Sequence, residues 1–251
     1  MKNIPMITLA AGLALAASNS SSRAAEPQGW QFELTPMAWL AGIEGDGKIA
    51  NRSFEFDKKF SDLIDSVDFA AGLLATAQYD RYLFWAQLDG ISSSTDNLDI
   101  EDQPKRGSID SDLFLGEAAF GYQVDGWAEG QTFDILVGAR TLNIDTDLKL
   151  NNGEQVGSDN TLVDPILVIR PSVPMFPSRI DGLSFNSTLA IGGGGDADLV
   201  YEMQPQIQYD ATDALSIRLG YRRVAYKFDG ENNSELDISL AGLILGAGFK
   251  F

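Results

Sequence analysis

The stretch Leu199–Tyr209 reads LVYEMQPQIQY. Its odd positions are Leu199, Tyr201, Met203, Pro205, Ile207 and Tyr209, and its even positions include Glu202, Gln204, Gln206 and Gln208. Successive side chains of an extended strand point to opposite faces, so this alternation describes a β-strand with one apolar and one polar face. A helix would scatter the same residues around its whole circumference.

The period of two recurs along the chain. Leu215, Ile217, Leu219 and Tyr221 alternate with Ser216, Arg218, Gly220 and Arg222. Phe133, Ile135, Val137 and Ala139 oppose Asp134, Gly138 and Arg140. Trp30, Phe32, Leu34, Pro36, Ala38 and Leu40 oppose Gln31, Glu33 and Thr35. Phe114, Ala118, Phe120 and Tyr122 oppose Glu117, and Leu183, Phe185, Leu189 and Ile191 oppose Ser184, Asn186 and Thr188. After Arg222-Arg223 the apolar phase jumps to Val224, Tyr226 and Phe228, which predicts a bulge there. No comparable 3.6-residue pattern runs through residues 25–251.

Connections of two kinds separate these segments. YDRY (Tyr79–Tyr82), DGWAEGQ (Asp125–Gln131) and DATDA (Asp210–Ala214) are short. TDNLDIEDQPKRGS, DTDLKLNNGEQVGSDN and DGENNSE are longer and polar. Short and long connections alternate, as in outer-membrane barrels with short periplasmic turns and longer outside loops. Aromatics beside the turns, Tyr79, Tyr82, Phe84, Tyr122, Tyr209 and Tyr221, suit an interfacial girdle. The expected fold is an all-β, antiparallel, up-and-down transmembrane barrel. Ten strands are expected, near 30–43, 67–80, 82–97, 107–124, 131–148, 160–173, 183–194, 198–210, 214–229 and 236–251, with eight or twelve as alternatives. Parity places Glu44–Asp68 outside the cell as the first long loop. There SFEFDKKF suits a short extra strand, and Ser61 suits the N-cap of a short helix with Phe60, Leu63, Ile64 and Val67 on one side.

Residues 1–24 read as a cleaved Sec signal peptide. Lys2 gives a positive start, Ile7–Ala17 is a short apolar run, and Ser22-Arg23-Ala24 fits a small-residue cleavage site. Residues 25–251 then form one barrel domain. Removing the signal takes Lys2 and Arg23 with it, leaving 16 basic against 36 acidic residues and a net charge of −20. Such a charge repels nucleic acid. The sequence contains no Cys, which excludes disulfides, a lipid-anchoring cysteine and Cys-based zinc sites. It contains no His either, and general acid–base work at neutral pH falls mostly to His. No spacing of carboxylates, Tyr or Lys stands out as a catalytic set, so a non-enzyme is expected, with no catalytic residues, no cofactor and no metal centre.

The segments LTPMAWLAGIEGDGKI, FSDLIDSVDFA, VGAR, VDPILVIR, LSIRLGYRRVAYKFDG and the final GFKF together resemble a family of uncharacterised proteobacterial outer-membrane β-barrel proteins. The resemblance covers nearly all of residues 25–251. It implies a small barrel without an appended peptidoglycan-binding domain, distantly similar in architecture to OmpA/OmpX-type transmembrane domains. It implies an outer-membrane location and no particular activity. In the last strand, Ala241, Leu243, Leu245, Ala247, Phe249 and Phe251 share the lipid phase. Phe249 and Phe251 resemble the signal that the barrel-assembly machinery reads. Gly242, Gly246 and Gly248 fall on the lumen phase and leave room for bulky groups opposite.

The lumen phase also collects the candidate functional residues: Glu33, Asp89, Glu117, Arg140, Asp164, Arg170, Glu202, Arg218 and Arg222, with Gln87, Gln204 and Gln206. Buried charges must be paired, since desolvating a lone one is expensive. An internal network of ion pairs filling a narrow lumen is favoured, and a small-solute or ion path lined by the same charges is the alternative. Two acidic loop groups, Asp96, Asp99, Glu101, Asp102, Asp110 and Asp112, and Asp145, Asp147, Glu154 and Asp159, suit either solvated loops or calcium or magnesium beside lipopolysaccharide. The glycines of IGGGGDAD (Ile191–Asp198) lack the Lys-Ser/Thr of a phosphate loop and suit a strand bending into a loop. The expected partners are outer-membrane lipids and lipopolysaccharide, and periplasmic chaperones and the barrel-assembly machinery during biogenesis. A monomer with both termini in the periplasm is favoured.

Overall fold

The computed structural model describes residues 29–49, 52–58, 67–99, 106–150, 155–230 and 234–251. Eleven strands follow in chain order: β1 (Trp30–Ile49), β2 (Arg52–Lys58), β3 (Val67–Tyr79), β4 (Tyr82–Asp99), β5 (Arg106–Asp125), β6 (Thr132–Leu150), β7 (Gln155–Pro174), β8 (Leu183–Gly192), β9 (Leu199–Thr212), β10 (Leu215–Gly230) and β11 (Ser234–Lys250). Ten of them close a barrel. Chain neighbours from β3 to β11 pair antiparallel, β1 pairs with β3, and β11 returns to β1. β2 pairs with the outer part of β1 alone, so it extends a hairpin beyond the wall. The expected ten strands and the extra SFEFDKKF strand are both present. The expected helix falls mostly outside the described residues, and Val67, assigned to its apolar side, instead begins β3.

The alternation in the sequence sorts side chains as expected. Phe32, Val137, Leu219 and Leu243 on the outer phase are 41%, 64%, 57% and 55% exposed. Exposed apolar side chains surround the barrel on every strand whose side chains are described, although on β3 this is Tyr79 alone and Ala71, Leu73, Ala75 and Ala77 are half-buried. Water-soluble monomers rarely expose large contiguous apolar patches, and a band of this kind is what hydrocarbon requires of a closed sheet. Among the described residues no helix is long and apolar enough to cross a membrane; the chain crosses with strands. Closure pairs every wall strand with a neighbour on each side through the lower barrel. The barrel is therefore an integral outer-membrane β-barrel.

One end carries the short connections, such as the two-residue turn Asp80–Arg81 between β3 and β4, where Asp80 adopts a φ of 52°. A membrane-spanning strand needs about 9–11 residues, so the 20-residue β5 and β7 continue well past the belt at the opposite end. At the short-turn end Trp30, Phe32, Tyr79, Tyr82, Phe84, Phe120, Tyr122 and Phe251 form contacting aromatic pairs. Tyr221 lies apart from this girdle, six residues up β10 from its turn. Phe251 exchanges backbone hydrogen bonds with Phe32, both at 3.0 Å, and so fastens the seam.

The bulge expected after Arg222-Arg223 is absent. β10 keeps one register with β11 from Leu215 to Gly230, and its irregularity against β9 lies at Leu215/Ser216. Val224 and Tyr226 remain on the lumen phase and are buried. The lining itself changes from charged to apolar at that height, which in sequence looks the same as a change of face. Two apolar clusters result. The upper one, toward the long-loop end, joins Trp39, Leu115, Leu142, Val200, Val224, Tyr226, Leu240 and Ile244. The lower one joins Met37, Leu74, Leu83, Trp85, Ala119, Leu136, Ile166 and Val168.

Candidate functional site

Between these clusters lies a layer of charge. Arg140 on β6 and Arg222 on β10 approach it from distant parts of the wall. Arg140 Nη2 donates to Glu117 Oε2 on the adjacent β5 at 2.8 Å, and across the lumen to Glu202 on β9. Arg222 Nε donates to Glu202 Oε1 at 2.8 Å, and its two terminal nitrogens reach Asp89 and Glu117. Glu117 and Glu202 thus each touch both guanidiniums. The side chains of Arg140, Arg222, Glu117 and Glu202 have no solvent exposure. Gln87 Nε2 supports Asp89 at 3.2 Å. Above, the Trp39 ring covers Arg222, whose guanidinium carbon is 4.7 Å from the ring centre. A cation facing an aromatic ring gains from the ring's quadrupole, more so away from water.

The other lumen charges do not join this layer. Arg218 Nη2 donates to Glu33 Oε1 at 2.6 Å, and Ser216 Oγ donates to the same atom at 3.0 Å. Gly248 explains the room for this pair, since a Cβ there would lie 2.1 Å from Glu33 Oε1 and 2.3 Å from Ser216 Oγ. Arg170 faces Asp134 at 3.6 Å, and Gln123 donates to Asp134 at 2.9 Å. Asp164 is buried but departs from the expected network. Its Oδ1 accepts backbone N–H groups of Gly195 and Ala197, at 3.2 and 2.9 Å, in the loop between β8 and β9. The nine lumen residues are therefore all inward, in four separate groups. Sequence reasoning missed Trp39, Ser216 and Tyr226. Their lumen phase was readable; the ring over Arg222 was not, because it joins strands far apart in sequence.

The wall below the layer is two-sided. β3 to β6 supply Leu74, Leu83, Trp85, Ala119 and Leu136. β8 and β9 supply a polar ladder in which Ser184, Asn186 and Thr188 pair in register with Gln208, Gln206 and Gln204. Asn186 Nδ2 donates to Gln208 Oε1 at 3.1 Å, and Gln208 Nε2 to Asp210 at 2.8 Å. Buried Gln204 has no protein hydrogen-bond partner at either amide atom.

The arginines of the layer tie carboxylates together. Among the described residues no group of three or more metal-ligating side chains is placed to hold an ion. Register does set Asp112 beside Asp145 and Asp145 beside Asp159 above the belt.

No family model matches the chain, and no curated protein matches it by sequence. Among solved structures, the chain is similar to the translocator domain of autotransporter NalP from Neisseria meningitidis at 10% identity and a TM-score of 0.44, covering 90% of this chain and 89% of that one. It is similar to the outer membrane protease OmpT from Escherichia coli at 8% identity and a TM-score of 0.46, covering 92% and 99%. The attachment invasion locus protein Ail of Yersinia pestis matches at 9% identity and a TM-score of 0.37, covering 88% and 99%. These likenesses add nothing about activity.

Proposed function

We propose that this barrel serves the envelope as a non-enzymatic structural or surface-interaction protein with a lumen closed by its own side chains. The observation that carries this reading is the charge layer. Four guanidinium and carboxylate side chains without solvent exposure cross-link β5, β6, β9 and β10, with apolar side chains packed above and below. A path for ions or solutes would need to displace both the ion pairs and the apolar cap. The orientation that fits is the short-turn end and both termini in the periplasm, with lipopolysaccharide around the long-loop half. Phe249 and Phe251 then lie where the assembly machinery reads a closing strand.

A second reading is a narrow solute channel. The polar ladder of β8 and β9, ending at unpartnered Gln204, favours it, because buried amides without partners call for water or ligand.

Cells that overproduce the barrel or lack it separate these readings. The closed-lumen reading expects unchanged uptake of small hydrophilic solutes and unchanged phospholipid and lipid A profiles. Faster uptake on overproduction would favour the channel, and a lipid change on deletion would revive an enzyme.

A further inference from the structure

The run Gly192–Gly195 sits where the barrel wall is incomplete. β8 has 10 residues against 20 for β7 and 14 for β9. Pairing of β7 with β8 stops at Ile166–Gly192, and pairing of β8 with β9 stops at Gly192–Val200. β7 nevertheless continues upward to Gln155 on β6, and β9 remains paired with β10 as far as Leu199–Lys227. β8 and β9 thus both end at this height while β7 and β10 run on, and their connection, Gly193–Asp198, lies in the gap between β7 and β10.

Hydrogen bonds to β7 and β10 seat this segment. Gly193 and Asp196 donate backbone N–H groups to Pro165 and Val163 carbonyls at 3.2 and 3.3 Å. The Asp196 carboxylate accepts from Val163 N–H at 2.7 Å, and Asp198 donates to the Lys227 carbonyl at 3.0 Å on the far side. From inside, buried Asp164 accepts from Gly195 and Ala197. Its other oxygen has no protein partner. Glycine is required by the seat itself: Gly193 and Gly194 have φ of 132° and 77°, and a Cβ on Gly195 would come within 2.2 Å of the Val163 carbonyl oxygen.

What lies on the two sides of the segment gives it a use. Outside are Val163 and Ile191, exposed on the lipid phase. Inside, Ala197 packs at 2% exposure into the upper apolar cluster with Leu142, Val200, Val224 and Tyr226. A ladder of β hydrogen bonds opens only when the sheet unfolds, whereas a glycine-rich hairpin connection opens locally. We propose that Gly193–Asp198 is a hatch in the barrel wall, latched by Asp164, through which small apolar molecules pass between the surrounding membrane and the upper lumen. The inference does not need an axial channel. The charge layer can stay closed while the hatch moves.

The absence of native cysteine makes the test direct. Ala197→Cys in the full refolded chain in liposomes is exposed to an apolar maleimide and, separately, to a charged one. Val168→Cys, in the lower cluster, is the buried control. The hatch predicts that the apolar reagent labels Ala197→Cys at least about tenfold faster than the control. Asp164→Asn in the same background should raise that rate by about a further tenfold, the factor expected from losing charge-assisted hydrogen bonds on the latch. Val200→Cys, behind the segment, reports the same opening if Ala197→Cys does not fold. Labelling no faster than the Val168 control, or no response to Asp164→Asn, overturns the hatch. Equal rates with the charged reagent overturn the apolar ligand class.

Discussion

Arg222 meets Asp89, Glu117 and Glu202 with none of its side chain exposed, whereas Arg81 meets Asp125 with 41% and 74% of the two side chains in solvent. Both are arginine–carboxylate contacts of hydrogen-bonding geometry. Their consequences differ because water surrounds one and is excluded from the other. Solvent screens the Arg81 pair and competes for its hydrogen bonds. Around Arg222 nothing replaces a lost partner, so removing one ion leaves the rest charged and desolvated. A buried layer of this kind specifies how the strands stand around the lumen more than it adds stability.

The largest effect should come from breaking the layer. Arg222→Met strands Asp89 and leaves Glu117 and Glu202 to share Arg140, and removing one partner from a buried pair costs about 3–5 kcal/mol. Urea unfolding in liposomes should show a loss of that order, and the heat-modifiable gel shift of the folded barrel should weaken. Adding Glu202→Gln should recover part of the loss; recovery of nothing would mean that the carboxylates are not coupled through Arg222. Next is Gly248→Val, which pushes a side chain onto Glu33 and Ser216. Overpacking of this kind costs about 1–3 kcal/mol. Gly90→Val, in β4 at a position where a Cβ meets nothing within 4 Å, should unfold at the wild-type midpoint.

The smallest effect should come from Arg81→Ala, with no measurable change in the urea midpoint. The hydrogen bond and charge of Asp125 raise the Arg81 pKa above its already high ordinary value. A raised cation contributes stability that is lost only as pH climbs through the folded pKa, so Arg81 gives no pH slope from acid to mildly alkaline buffer. Raising salt to about 1 M, where screening acts over about 3 Å, should leave the Arg222 phenotype intact. If Arg81→Ala and Arg222→Met proved equally harmful, burial would not be the deciding variable.

Much of this was legible because a barrel wall has the shortest possible code. Glu33, Glu202 and Arg218 each sit between apolar neighbours that face lipid, and Glu117, Arg140 and Arg222 keep the polar phase of their strands, so phase alone turned them inward. Partner choice was not legible. Arg140 lies in register with Asp164, yet it bonds Glu117 and Glu202, while Asp164 turns to the loop between β8 and β9. Pairings across the lumen depend on side-chain reach, which sequence spacing does not encode. Val224, Tyr226 and Phe228 misled for another reason. A lumen that becomes apolar and a strand that changes face give the same pattern, and only the unbroken register of β10 with β11 separates them.

The claim that organises all of this is that the barrel's own side chains close its lumen. Recording the refolded full-length protein in planar lipid bilayers tests it most directly. Closure predicts a flat current trace without reproducible unitary steps, for the wild type and for Arg218→Ala alike. Stable unitary conductance in the wild type that changes with Arg218→Ala would contradict it and make the lumen a path.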